Sequence, residues 1–176
     1  YSLEHKVGFR EMSRFQEAIR AVQEQLIKQG AYLVEYTPSR SAVMDHWAYE
    51  GLKIMRRLGL AAGGYANDYR LEQPIQYWDA NYLYNQVVQR AKYFNPQCSA
   101  REVNFPEGTT WNDFLAGVAE GLNGQKLAPA EAWEYLREHE LLAPELEKRL
   151  TGRLTDVPTF GEAYALLGKV YEYLSE

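Results

Sequence analysis

Apolar side chains in this chain return every three or four positions, and that rhythm does most to limit the fold. Phe160, Tyr164, Leu167, Tyr171 and Leu174 are separated by 4, 3, 4 and 3 positions, and Met12, Phe15, Ile19, Val22 and Leu26 by 3, 4, 3 and 4. An α-helix turns once in about 3.6 residues, so each set falls on one stripe, whereas a half-buried strand needs strict alternation. A stripe of this kind must be covered by another element. The chain is therefore expected to be all-α, a multi-helix bundle.

Start and stop signals divide the bundle. The first helix is expected from about Arg10 to Gln29, stopped by Gly30. Residues 31–37 (Ala-Tyr-Leu-Val-Glu-Tyr-Thr) are rich in strand formers and read as one short extended segment before Pro38. A second helix is expected from about Ser41 to Leu58, with Gly59 as its stop and Lys53, Arg56 and Arg57 complementing its negative pole. Pro74 suits the first turn of a third helix that runs to about Tyr93, with Ile75, Trp78, Tyr82 and Val87 inward and Tyr77 and Tyr84 nearer its edges. Thr110-Trp111-Asn112-Asp113 and Thr159-Phe160-Gly161-Glu162 have the form of capping boxes, and Pro129 and Pro144 each open a shorter helix. The count is about seven helices, four of them long, in a single domain over residues 1–176, with Trp47, Trp78, Trp111 and Trp133 all expected in the core. The chain does not open on Met, which reads as a processed product, a domain excised from a larger protein or a trimmed chain.

Composition removes several classes. Apolar residues make up 46% of the chain and charged ones 24%, the balance of a soluble globular protein. No apolar run approaches the ~18 residues of a membrane helix, and no secretory segment opens the sequence. Cys98 is the only cysteine, which excludes an internal disulfide and cysteine-rich zinc frameworks and fits a cytoplasmic location. The net charge of −5 is unevenly spread: residues 106–176 carry six Lys/Arg against thirteen Asp/Glu. That third repels phosphate backbones and suits either a basic protein partner or plain solvation.

Chemistry-bearing motifs are sparse. His5, His46 and His139 have neither a His-x-x-x-His nor a Glu-x-x-His spacing, so no metal site is expected. The glycine-rich nucleotide loops are absent, and no cofactor is expected. Arg40 and His46, in Arg-Ser-Ala-Val-Met-Asp-His, are the candidate catalytic residues. Their spacing resembles the Arg-x(4–6)-His signature of the HEPN ribonucleases, small helical proteins that often dimerise. The resemblance rests on two residues of 176 and implies metal-independent RNA cleavage, with Arg40 on the phosphate and His46 on the ribose or leaving group. His46 beside Asp45 and Trp47 reads first as a packing or capping residue. Arg10, Arg14, Lys53, Arg56 and Arg57, with Tyr32 and Tyr36, are candidates for nucleic-acid contact, charges on phosphate and rings on bases.

The fourteen tyrosines are the strongest functional signal, and six of them lie between Tyr65 and Tyr93. A tyrosine offers wide contact area and one polar tip at low entropic cost. Gly63-Gly64 and Asn67-Asp68 mark a loop, and Tyr65, Tyr69, Arg70 and Tyr77 are expected to form a partner-binding surface there. These signs favour a non-enzymatic protein-interaction module, or a small subunit of a larger assembly such as an RNA–protein complex. The alternatives are the helical ribonuclease and an acidic inhibitor or immunity-type protein covering a basic partner.

Overall fold

The structure, a computed structural model, describes residues 16–22, 24–25, 43–61 and 69–176. The chain divides into two compact units, Tyr1–Asp45 and His46–Glu176. In the first unit residues 16–22 and 24–25 are helical and form α1, with Ile19 and Val22 exposed rather than packed as a core stripe. Met12, Phe15 and Leu26, and the extended segment expected at residues 31–37, lie outside the described residues.

The second unit contains α2 (Tyr49–Arg57), α3 (Tyr77–Phe94), α4 (Trp111–Asn123), α5 (Pro129–Glu138), α6 (Pro144–Leu150) and α7 (Phe160–Ser175). Among the described residues there is no strand, only an isolated bridge between Pro74 and Thr159. The architecture is all-α.

The centre of this unit is α7. Every residue from Gly161 to Val170 except Lys169 is buried, so the helix is apolar nearly all round, the pattern of a helix enclosed by others. Helices α2, α3 and α6 pack on it, while α4 packs on α5. The α2–α7 crossing is a backbone contact. A Cβ on Gly51 would lie 2.6 Å from the carbonyl carbon of Tyr164 and 2.8 Å from Cα of Ala165, and one on Gly168 would lie 2.9 Å from Cα of Gly51.

The start of α7 is built from its sequence signal outward. Thr159 Oγ1 accepts the Glu162 N–H (3.2 Å), and Glu162 Oε1 accepts the Thr159 N–H (3.0 Å), the reciprocal capping box. The Phe160 and Gly161 amides, which have no partner within the helix, donate to Gln73 O (2.9 Å) and Leu71 O (2.8 Å). Glu162 is itself buried. It is satisfied by the Trp111 indole N–H on Oε1 (3.2 Å) and by Arg153 on Oε2 (3.0 Å), so a buried charge is paired and hydrogen-bonded rather than stranded. That arrangement ties the start of α4 to the start of α7.

Two helix starts differ from the sequence expectation. The second helix begins at Tyr49 instead of Ser41, because His46 Nδ1 accepts the Ala48 N–H (3.1 Å) and its carbonyl accepts the Tyr49 N–H (3.0 Å), closing turns ahead of the helix. The third begins at Tyr77 instead of Pro74, because Pro74 bridges Thr159 and the Ile75 N–H donates to Pro158 O (2.9 Å).

Candidate functional site

Helix α3 turns a different face inward from the one expected. Ala80, Leu83, Tyr84, Val87, Val88 and Ala91 are buried, whereas Trp78 is 58% exposed and Tyr82 53% exposed. Ala80, Tyr84, Val87 and Ala91 are spaced 4, 3 and 4, and Trp78 sits two positions before that stripe. Two positions correspond to about 200° around a helix, so Trp78 and Tyr82 are on its back. The expectation that both were core residues is corrected. It followed side-chain size, while packing against α7 selected the smaller residues.

Tyr84 is the inward tyrosine of this helix. Its hydroxyl donates to Arg101 O (3.0 Å), and burial pushes its pKa up beyond the usual range of a tyrosine. A Cβ on Gly121 would collide with that hydroxyl, so α4 can pass over Tyr84 only as glycine.

On the outer face Trp78 and Tyr82 are one turn apart, and Tyr77 meets Trp78 edge to face, with ring centroids 5.4 Å apart and planes at 71°. Tyr93 and Phe94 continue the exposed aromatic run at the end of α3, packed edge to face at 5.0 Å. Neither the Trp78 indole N–H nor the Tyr82 hydroxyl has a hydrogen bond among the described residues. An exposed tryptophan and tyrosine one turn apart on a well-packed helix form a wide apolar ridge that folding leaves uncovered.

The sequence-derived site residues are dispersed. Tyr65 lies outside the described residues. Tyr69 is buried at 7% exposure, with the Arg56 guanidinium over its ring at 5.4 Å, so it is a packing residue and not a free contact. Arg70 is exposed and left-handed (φ 54°), its guanidinium 5.5 Å from the Phe160 ring at the start of α7. Tyr77 is half-buried and touches the ridge through Trp78.

His46 is held at both ring nitrogens. Nδ1 accepts from Ala48 N–H, which places the ring proton on Nε2, and Nε2–H donates to Glu72 Oε1 at 2.6 Å. The one basic lone pair of the ring, on Nδ1, is taken by the Ala48 N–H, so none is left for a substrate proton in this arrangement. Arg40 lies outside the described residues.

Arg10 and Arg14 also lie outside the described residues. Lys53 pairs with Glu50 (3.1 Å), and Lys53, Arg57 and Lys169 share a groove of about 320 Å³ with Glu50, Glu145 and Glu172. A mixed lining of that kind gives no net field for phosphate.

Trp47 stacks under Arg149, whose guanidinium carbon is 4.5 Å from its ring. Trp111 is fully buried, Trp47 and Trp133 are half-buried, and only Trp78 stands open to solvent. Among the described residues no group of three His, Cys, Asp or Glu gathers as a metal site, and no helix is long and apolar enough to cross a membrane.

The sequence held one signal for the ridge. The stripe through Ala80, Tyr84, Val87 and Ala91, spaced 4, 3 and 4, keeps a helical period better than the expected one through Ile75, Trp78, Tyr82 and Val87, spaced 3, 4 and 5. Comparison with known protein families, with curated proteins and with solved structures finds no match.

Proposed function

We propose that the chain is a non-enzymatic helical interaction module, a small subunit of a larger assembly, whose protein partner covers the outer face of α3. One observation carries this reading: Trp78 and Tyr82 are more than half exposed, one turn apart, on a helix whose opposite face is fully packed. Tryptophan and tyrosine dominate binding energy where they are buried at the centre of an interface. Here they contribute little to the fold and are presented on a rigid element, so a partner meets them without an ordering cost. The lone Cys98 suits a cytoplasmic location.

The test is affinity capture from the source cell with the full chain and with Trp78→Ala/Tyr82→Ala, read by quantitative mass spectrometry. The expected result is a specific partner retained by the parent and lost by the variant, both with the same thermal midpoint. A variant that keeps every partner overturns the ridge as the binding surface.

A further inference from the structure

Residues 101–105 run extended along α3, and side chains instead of a strand hold them there. Asn85 Oδ1 accepts the Val103 N–H (2.9 Å) and its amide nitrogen donates to Val103 O (2.9 Å). Asn81 repeats this one helical turn earlier, with Phe105 N–H to Oδ1 (2.6 Å) and Nδ2–H to Phe105 O (3.1 Å). The two repeats match: four helical residues rise about 6 Å, and two strand residues advance about 6.6 Å. An Asn-x-x-x-Asn helix face can therefore pair with alternate residues of a strand. The Phe105 ring anchors the segment on Gly117 of α4, where a Cβ would strike it.

In an extended chain successive backbone groups point to opposite edges. Val103 and Phe105 face the asparagines, so Glu102 and Asn104 face away. Among the described residues the backbone N–H and C=O groups of Glu102 and Asn104 have no hydrogen-bond partner. Pro106, which has no N–H, ends this open edge. Beside it lies a groove of about 260 Å³ lined by residues 101–104 and by Glu120, Gly121 and Gly124 of α4 and its exit. Arg101 turns its guanidinium onto Gly124 O (2.9 Å) and Gln89 Nε2–H donates to Glu102 Oε1 (3.1 Å), which leaves Glu102 Oε2 and the Glu120 carboxylate as the acidic groups of the lining.

We propose that this edge accepts an extended segment of a partner protein as an added strand, with a Lys or Arg side chain entering the groove between Glu102 and Glu120. A strand-addition site needs a rigid extended template with one unpaired edge, and the asparagine pair supplies the rigidity. A second copy of this chain is a poorer occupant, since its own edge carries Glu102 and Asn104 and brings no Lys or Arg to the groove. The inference rests on the interaction-module reading but uses a surface other than the Trp78–Tyr82 ridge, so the two fail separately.

The experiment screens displayed random short peptides against the full chain. Expected binders alternate β-branched residues, carry Lys or Arg, and shift the Glu102 and Asn104 amide resonances in nitrogen–proton correlation spectra. N-methylating alternate amides of a binder, which keeps every side chain, weakens it about tenfold or more. Glu120→Lys weakens it as well, while Trp78→Ala leaves it unchanged. The proposal is overturned if no peptide is selected, if the N-methylated peptide binds equally, if the shifts map to Trp78 and Tyr82, or if the edge is occupied by a second copy at the concentrations used.

Discussion

The tightest point of the fold is the crossing of α2 over α7, and Gly51→Ala tests it. An added Cβ would sit 2.6 Å from the carbonyl carbon of Tyr164 and 2.8 Å from Cα of Ala165. Carbon atoms in contact prefer about 3.5–4.0 Å, so the helices must part by roughly 1 Å. The obstacle is backbone, with no rotamer to move aside, and α7 is held by α3, by α6 and by the hydrogen bonds of its first turn. Two effects compete. Alanine in a helix interior gains about 1 kcal/mol over glycine, while overpacking a close contact costs about 1–3 kcal/mol or more. A backbone collision belongs at the upper end of that range, and the net expectation is a loss of about 2 kcal/mol. Urea unfolding followed by far-ultraviolet circular dichroism measures it. Gly168→Ala should cost less, because its new Cβ meets Cα of Gly51 at 2.9 Å, and the double variant should cost less than the sum, since one parting of the helices accommodates both. An unchanged or raised midpoint for Gly51→Ala refutes the backbone contact.

Trp111→Ala should cost about 3–5 kcal/mol, since it empties a buried site and removes a donor from the buried Glu162 carboxylate, while Trp78→Ala should stay within about 0.5 kcal/mol. Equal losses for the two variants in urea titrations would contradict the assigned rotation of α3. Burial pushes the Tyr164 hydroxyl up to about 12. Folding therefore favours its protonated form, and the contribution is fully present below the ordinary tyrosine pKa of about 10 and lost as pH rises through the folded value. Stability should be flat toward pH ~10 and decline above it, less steeply in Tyr164→Phe. Identical alkaline slopes for parent and variant would place the loss on other groups.

Local signals in this sequence were reliable where a residue acts on its own backbone. The capping boxes at Thr110–Asp113 and Thr159–Glu162 form as spaced, Pro129 and Pro144 open helices, and Gly59 and Gly124 take positive φ where helices stop. Signals failed where the deciding contact lies far along the chain. The regularity of a stripe near Trp78 does not by itself say which face of α3 meets α7, because that contact is made with a helix that begins only at Phe160. Size alone pointed the wrong way: the largest ring went outward, and Ala80 and Ala91 went in.

The same distinction explains the candidate sites. Tyr69 and His46 were singled out by residue type, yet each is consumed by the fold, Tyr69 beneath Arg56 and His46 between Ala48 and Glu72. Asn81 and Asn85 attract no notice in a sequence, because a surface helix carries many amides. Only the spacing of four against the two-residue advance of a strand turns them into a clamp, and that requires knowing that residues 103 and 105 lie alongside. What remains uncovered after the fold has used its polar groups is therefore the better guide to binding. The two proposed surfaces meet that condition from opposite directions: the Trp78–Tyr82 ridge is exposed apolar area, and the Glu102–Asn104 edge holds backbone groups that no described residue pairs. Water can satisfy the second but gains nothing from the first, so of the two proposed contacts the ridge would supply more of the affinity and the edge more of the orientation.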